Sequence, residues 1–242
     1  MATTSSNSIA IVTGASRGIG KAITLHLLSK NVSVVGLARS ASALEIVSEE
    51  AGKLQTSAKL IPVAGDVTDE SVQQQAVDLA TQNGTLIALV NNAAITEPFA
   101  LIADAAVDDW KKQFDVNLFA PLSLIKKSLP QLRQSRGKVI NLTSAIFKTP
   151  TKNQAGYSGS KAAISYMTQT LALEEPDITA IAVHPGIVDT DMVATFYTNA
   201  RDAEPEREIS GRIIGNLALF AEHELTGAYV EYDEPKLSKY AE

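Results

Sequence analysis

The 242-residue chain has no cysteine, which removes disulfide scaffolds, thiolate zinc sites, iron–sulfur clusters and cysteine nucleophiles together. A reducing, cytoplasmic setting is expected. Histidine is scarce, limited to His26, His184 and His223 with no metal-ligand spacing, so no metal site is expected. No apolar run is long enough to span a bilayer, and segment 1–8 lacks the basic and apolar regions of a secretory signal. Without secretion, the glycosylation-pattern matches at Asn31, Asn83 and Asn141 are expected to be chance. Net charge is −6 and Lys and Arg are scattered, so no basic stripe exists for a nucleic-acid backbone. Neither nucleic acid nor membrane is an expected partner. No Pro/Gly/Ser-rich linker divides the middle, and 45% hydrophobic residues suffice for one core, so a single domain over 1–242 is expected.

What is present is alternation. Short β-branched runs at 9–13, 32–37, 60–63, 86–90, 138–142 and 179–183 alternate with helical-period stretches at 19–29, 44–54, 72–80, 107–132 and 157–173. A helix at 206–221 and a final strand at 227–232 follow. Continuous apolar runs such as Ile9-Ala10-Ile11-Val12 imply burial on both sheet faces, so helices must cover both. The expected fold is a doubly wound α/β Rossmann domain of about seven parallel strands, with ligands beyond the carboxyl ends of the strands. The mixed stretch 189–203 fits a lid and a plain surface excursion equally. A substrate loop is expected near 189–208.

After the first strand comes Thr13-Gly14-Ala15-Ser16-Arg17-Gly18-Ile19-Gly20. Its glycines sit where the chain must turn tightly and approach a ligand, and the helix start that follows favours a pyrophosphate. A glycine turn serving packing alone is the alternative. The segment closely resembles the cofactor loop of short-chain dehydrogenases/reductases.

Further strand ends carry candidate cofactor residues. The second strand ends Gly36-Leu37-Ala38-Arg39-Ser40, without the acidic residue that holds a ribose 2′-hydroxyl in NAD sites. Arg39 and Arg17 can instead hold the extra phosphate of NADPH, or serve as solvated surface charges. NADPH/NADP is the expected cofactor. Asp66-Val67 resembles the family's adenine-contacting pair, and Asp66 also reads as a cap for a helix beginning near Glu70. Asn91-Asn92-Ala93-Ala94 matches the family's Asn-Asn-Ala-Gly, with Ala94 replacing the glycine. His184-Pro185-Gly186-Ile187-Val188-Asp189-Thr190 resembles its Pro-Gly segment beside the nicotinamide. The resemblance gives Val188 and Thr190 positions that contact the carboxamide, while His184 reads as a packed strand-end residue.

Tyr157-Ser158-Gly159-Ser160-Lys161 places a phenol and an ammonium on one helix face. Lys161, with an oxidised nicotinamide, is expected to lower the phenol's pKa from about 10. Such a pair also arises by chance, and placement decides it: Ser144 ends a strand thirteen residues upstream, where the family has its catalytic serine. The resemblance implies Ser144 holding a substrate carbonyl, Tyr157 giving the proton and Lys161 tuning Tyr157 and binding the nicotinamide ribose. It also implies that Asn117 helps hold a water leading to solvent.

The implied activity is NADPH-dependent reduction of a small-molecule carbonyl. Ile146, Phe147, Met192, Phe196 and Tyr197 fit an apolar or aromatic substrate and fit lid packing equally. The carboxyl end, 225–235, looks like benzil and sepiapterin reductases, pointing to diketones or aryl ketones, and the family resemblance implies a homodimer formed through the helices near 110–132 and 157–173. The alternatives are an NAD-dependent alcohol dehydrogenase, against which Arg39 speaks, and a non-catalytic NADPH-binding sensor, against which the complete Ser144, Tyr157 and Lys161 set speaks.

Overall fold

The structure is a computed structural model describing residues 8–188 and 206–242. Seven strands form one parallel sheet: β1 (Ser8–Thr13), β2 (Ser33–Ala38), β3 (Leu60–Ala64), β4 (Thr85–Asn91), β5 (Lys138–Leu142), β6 (Thr179–His184) and β7 (Tyr229–Glu231). Their order is β3-β2-β1-β4-β5-β6-β7. The chain builds outward from β1 through β2 and β3, then returns to build β4 to β7 on the other side. The switch point between β1 and β4 leaves a crevice at the strands' carboxyl ends, where a doubly wound sheet binds ligands.

Successive residues of β1 explain its unbroken apolar run. Ala10 and Val12 enter one core and Ile9 and Ile11 the opposite one, because side chains alternate across a strand. The first core is closed by α1 (Gly18–Ser29), α2 (Ala41–Ala51) and α7 (Arg207–Phe220), through Ile23, Leu27, Leu44 and Leu217. The second is closed by α3 (Glu70–Asn83), α5 (Ala120–Ser135) and α6 (Ala155–Glu174), through Val77, Leu124, Leu132 and Leu171. Each such fully buried aliphatic side chain contributes about 1.5–3 kcal/mol relative to exposure. No described helix is long and apolar enough to cross a membrane.

Three local departures from the sequence expectations matter for the site. The helix expected over 107–132 is α4 (Val107–Phe114), a π turn at Asp115–Phe119 and then α5. Asp66 does not cap α3: its carboxylate accepts the Thr68 amide at 2.8 Å, while Asp69, one residue before the helix, accepts the Ser71 amide at 2.7 Å. The last helix packs so closely on α1 that a Cβ on Gly211 would lie 2.5 Å from the Ala22 Cβ, and one on Gly215 2.6 Å from the His26 ring.

Candidate active site

The carboxyl ends of the central strands open on a cleft of about 800 Å³. The glycine loop contributes Gly14, Ser16, Arg17, Gly18 and Ile19 to its wall, and the ends of β2 and β3 contribute Arg39, Asp66 and Val67. Asn92 and Ala93 follow β4, Pro185 follows β6, and Tyr157 and Lys161 enter from α6. Residues separated by most of the chain therefore meet in one cavity.

The loop's shape depends on glycine. Gly14 has φ +67° and Gly18 φ +53°, in the left-handed region that disfavours side chains. A Cβ on Gly14 would also lie 2.7 Å from Asn92 Nδ2. Asn92 fastens the turn, donating to Thr13 O at 2.8 Å, and the Thr13 hydroxyl accepts the Asn92 and Ala93 amides at 3.0 Å each. Arg17 precedes α1 without making a side-chain cap, so no N-cap side chain takes up the first-turn amides. A glycine cradle leading into an uncapped helix start fits a cofactor pyrophosphate.

At the far end, Arg39 lies near Asp66. The Asp66 carboxyl is held below the usual carboxylate range mainly by the Thr68 amide and hydroxyl, with the Arg39 charge adding to the effect. Ala38 and Arg39, at and just after the end of β2, line this part of the cleft.

Chemistry is possible where α6 meets β5. Lys161 is 3% exposed and donates to Leu142 O at 2.9 Å. Its ammonium lies 5.7 Å from the Tyr157 ring centroid. The Tyr157 hydroxyl is hydrogen-bonded to Ser144. Burial pushes the Tyr157 phenol up to about 12, with the Ser144 bond working against it, and pulls Lys161 down to about 8. The expected lowering of the Tyr157 pKa is thus reversed among this chain's own groups, because desolvation of the phenolate outweighs the Ser144 hydrogen bond. Tyr157 stays a neutral donor across the physiological range.

Neighbouring hydroxyls have separate tasks. Thr143 is buried and bonds Lys161 O at 2.8 Å and Ser165 Oγ at 2.6 Å, which ties α6 to β5. Ser144 faces Tyr157 and also accepts the Ile146 amide at 3.3 Å, starting the 3₁₀ turn Ala145–Lys148. Asn117, 2% exposed, sits in the π turn. It accepts from Ile95 N at 2.9 Å and donates to Ile95 O at 2.9 Å and Ser160 Oγ at 3.0 Å. Both amide donors are occupied by protein, so the side chain holds the loop after β4 against α6 and has no spare N–H for a water.

Other expected site residues lie elsewhere. Asn91 is buried under the sheet and donates to Asn141 Oδ1 at 2.8 Å, while Asn141 donates to Thr168 at 2.9 Å. It ties strands to α6 and does not line the cleft, since its strand position points it away from the crevice. Gly20 also lies outside the wall: a Cβ there would be 2.2 Å from Gly14 O, so its place is between helix and loop. Gly186 shapes the turn after β6 with φ +91°, and Val188, 1% exposed, is packed inside. Thr190, Met192, Phe196, Tyr197 and most of the expected substrate loop fall outside the described residues. Ile146 and Phe147 are half-buried but not in the wall; the Phe147 ring meets Tyr229 edge-on at 5.3 Å. His184 is half-buried and its pKa is lowered mainly by burial. No His/Cys/Asp/Glu group suited to a metal exists among the described residues. The sequence reading missed Arg207, Ile95 and Val116, all in the cleft wall. Only the four-residue spacing of Gly211 and Gly215 signalled that Arg207 would come near α1.

The sheet, glycine cradle and Ser144–Tyr157–Lys161 cluster together define an oxidoreductase of the nicotinamide-dependent class. The family model described as short chain dehydrogenase matches residues 8–201, and the chain belongs to this family, whose members act on CH–OH and C=O groups using NAD or NADP. An uncharacterized oxidoreductase of Saccharomyces cerevisiae is 33% identical over 254 residues, spanning 96% of this chain and 98% of the relative. The crystal structure of that yeast short chain dehydrogenase/reductase aligns with TM-score 0.86, covering 96% of this chain and 99% of its own. The KRED1-Pglu enzyme aligns with TM-score 0.85 at 32% identity, covering 92% of this chain and 100% of its own. A 3-oxoacyl-(acyl-carrier-protein) reductase of Staphylococcus epidermidis is 35% identical over 200 residues, 81% of each chain.

Proposed function

We propose that the protein is an NADPH-dependent carbonyl reductase acting on a ketone or diketone, with Tyr157 as the proton donor. The observation that carries this reading is Tyr157, hydrogen-bonded to Ser144 and set with buried Lys161 in the wall of a cleft that also presents Arg17 and Arg39. Gly14, Ser16, Gly18 and Ile19 hold the pyrophosphate, and Asp66 and Val67 the adenine. Arg17 and Arg39 hold the 2′-phosphate, and Tyr157 and Lys161 the nicotinamide ribose. Ala93, Pro185, Gly186, Val188 and Thr190 flank the nicotinamide. Bound NADPH supplies the hydride that reduces the carbonyl carbon.

The chain's own groups do the rest. Ser144 donates a hydrogen bond to the carbonyl oxygen and so favours the developing alkoxide. Tyr157, neutral at physiological pH, hands that oxygen its proton. The Lys161 ammonium then lies close enough to stabilise the phenolate left behind. Asn117 keeps the loop after β4 and α6 in register around these groups.

The likeness of the carboxyl end to benzil and sepiapterin reductases favours aryl ketones and diketones. A cytoplasmic homodimer belongs to the same reading. Exposed Phe119 and Leu122 beside or on α5, and Tyr166 and Leu173 on α6, support an apolar contact between copies. The test is NADPH oxidation against diketones, aryl ketones, quinones and aldehydes, repeated with NADH. Turnover favouring NADPH and a ketone or diketone is expected; tight NADPH binding without turnover on any of them would favour the sensor alternative.

A further inference from the structure

Arg207 is the first residue of α7 and lines the cleft wall, although nearly two hundred residues separate it from the glycine loop. Its position follows from helix packing. Gly211 meets Ala22 and Gly215 meets His26, so numbers rise together and α7 runs parallel to α1. One turn earlier, the same register sets Arg207 level with Gly18. A second, smaller cavity confirms the neighbourhood, because Gly18, Lys21 and Arg207 all line it. The His26–Asn216 hydrogen bond, 2.8 Å, and the two glycines fix the helices against sliding. An arginine on the first turn of α7 therefore stands over the first turn of α1, where the loop amides favour an anion.

We propose that Arg207 is a further cofactor-binding residue, whose guanidinium holds the pyrophosphate of the nicotinamide cofactor opposite the glycine loop. The inference rests on the cofactor site described above and assigns Arg207 a phosphate distinct from that of Arg39. Arg39 follows β2 at the ribose end and discriminates between cofactors by the 2′-phosphate. Arg207 is level with Gly18, at the group NADPH and NADH share. A planar guanidinium can donate two parallel hydrogen bonds to phosphate oxygens.

The experiment measures dissociation constants of NADPH and NADH by fluorescence titration for wild type, Arg207→Met, Arg207→Lys, Arg39→Ala and Arg212→Met. Arg212 lines the second cavity and is absent from the cleft wall, so it controls for the overall loss of a positive charge on α7. Arg207→Met is expected to weaken both cofactors by the same factor, about tenfold for one lost charge-assisted contact. Arg207→Lys should recover part of the loss, Arg39→Ala should weaken NADPH alone, and Arg212→Met should leave both constants in place. Thermal midpoints should match across the set, since Arg207 is exposed and outside both cores. Unchanged constants in Arg207→Met, a loss confined to NADPH, or an equal loss in Arg212→Met would each overturn the assignment. If wild type binds neither cofactor, the reductase reading itself fails, a result separable from the failure of Arg207 alone.

Discussion

Replacing Lys161 with methionine removes a buried ammonium while nearly keeping the side chain's length. Burial lowers the Lys161 pKa from 10.5 to about 8, so holding the charged form inside the fold costs about 3 kcal/mol at neutral pH. The Leu142 carbonyl loses a donor in the variant, which returns about 1 kcal/mol. Lys161→Met should therefore be more stable than wild type by about 2 kcal/mol at pH 7, or about 4–8 °C in thermal midpoint for a chain of this size. The pH dependence has a definite sign. Below pH 8 Lys161 is protonated in both folded and unfolded chains, and the full cost applies. Between pH 8 and 10.5 the unfolded chain holds a proton that the folded one has lost, so wild type gains about 1.4 kcal/mol per pH unit relative to the variant. Urea unfolding of both proteins at pH 7 and pH 9.5 measures the gap, which should nearly vanish at the higher pH. A variant less stable than wild type at pH 7, or a gap indifferent to pH, would refute the placement of a desolvated charge at this position.

The same ammonium sets the pH profile of turnover. Tyr157 remains protonated to about pH 12 and Lys161 only to about 8, so kcat/KM for reduction should fall above about pH 8, and a profile flat to pH 10 would contradict the role of the Lys161 charge. Ser144→Ala should lower kcat on the order of a hundredfold with little change in cofactor affinity, as for one lost donor to a developing oxyanion; single-turnover kinetics with equilibrium binding separates the two. Arg39→Asp should reverse cofactor preference toward NADH, because it removes a guanidinium and places a carboxylate where a 2′-hydroxyl is held, and titration of both cofactors reads the ratio directly.

The sheet was legible because each buried strand is an uninterrupted apolar run and each helix carries an amphipathic stripe of suitable length. The cleft was legible at its strand ends, since a short chemical motif sits at each of them. What the sequence concealed depends on side-chain direction or on packing between distant elements. Asn91 belongs to a motif at a strand end, yet its side chain faces Asn141 beneath the sheet. Asp66 and Asp69 both suit a helix cap, and three residues of offset decide which one serves. The π turn that buries Asn117 adds one residue to a helical turn, which an apolar period of 3.6 does not reveal. Arg207 escaped notice because only the close parallel packing of α7 on α1, set by Gly211 and Gly215, brings it to the cleft. The phenol's raised pKa follows from burial, which a spacing of four between Tyr157 and Lys161 does not convey.

The central claim is that Tyr157 protonates the carbonyl oxygen during NADPH-dependent reduction. Tyr157→Phe removes one oxygen and leaves the ring in place, so the fold and NADPH affinity should persist. Its kcat on the best carbonyl substrate, measured by NADPH oxidation beside wild type, should fall by about a thousandfold, within the usual range for a lost general acid. Full turnover in a folded Tyr157→Phe protein would contradict the account.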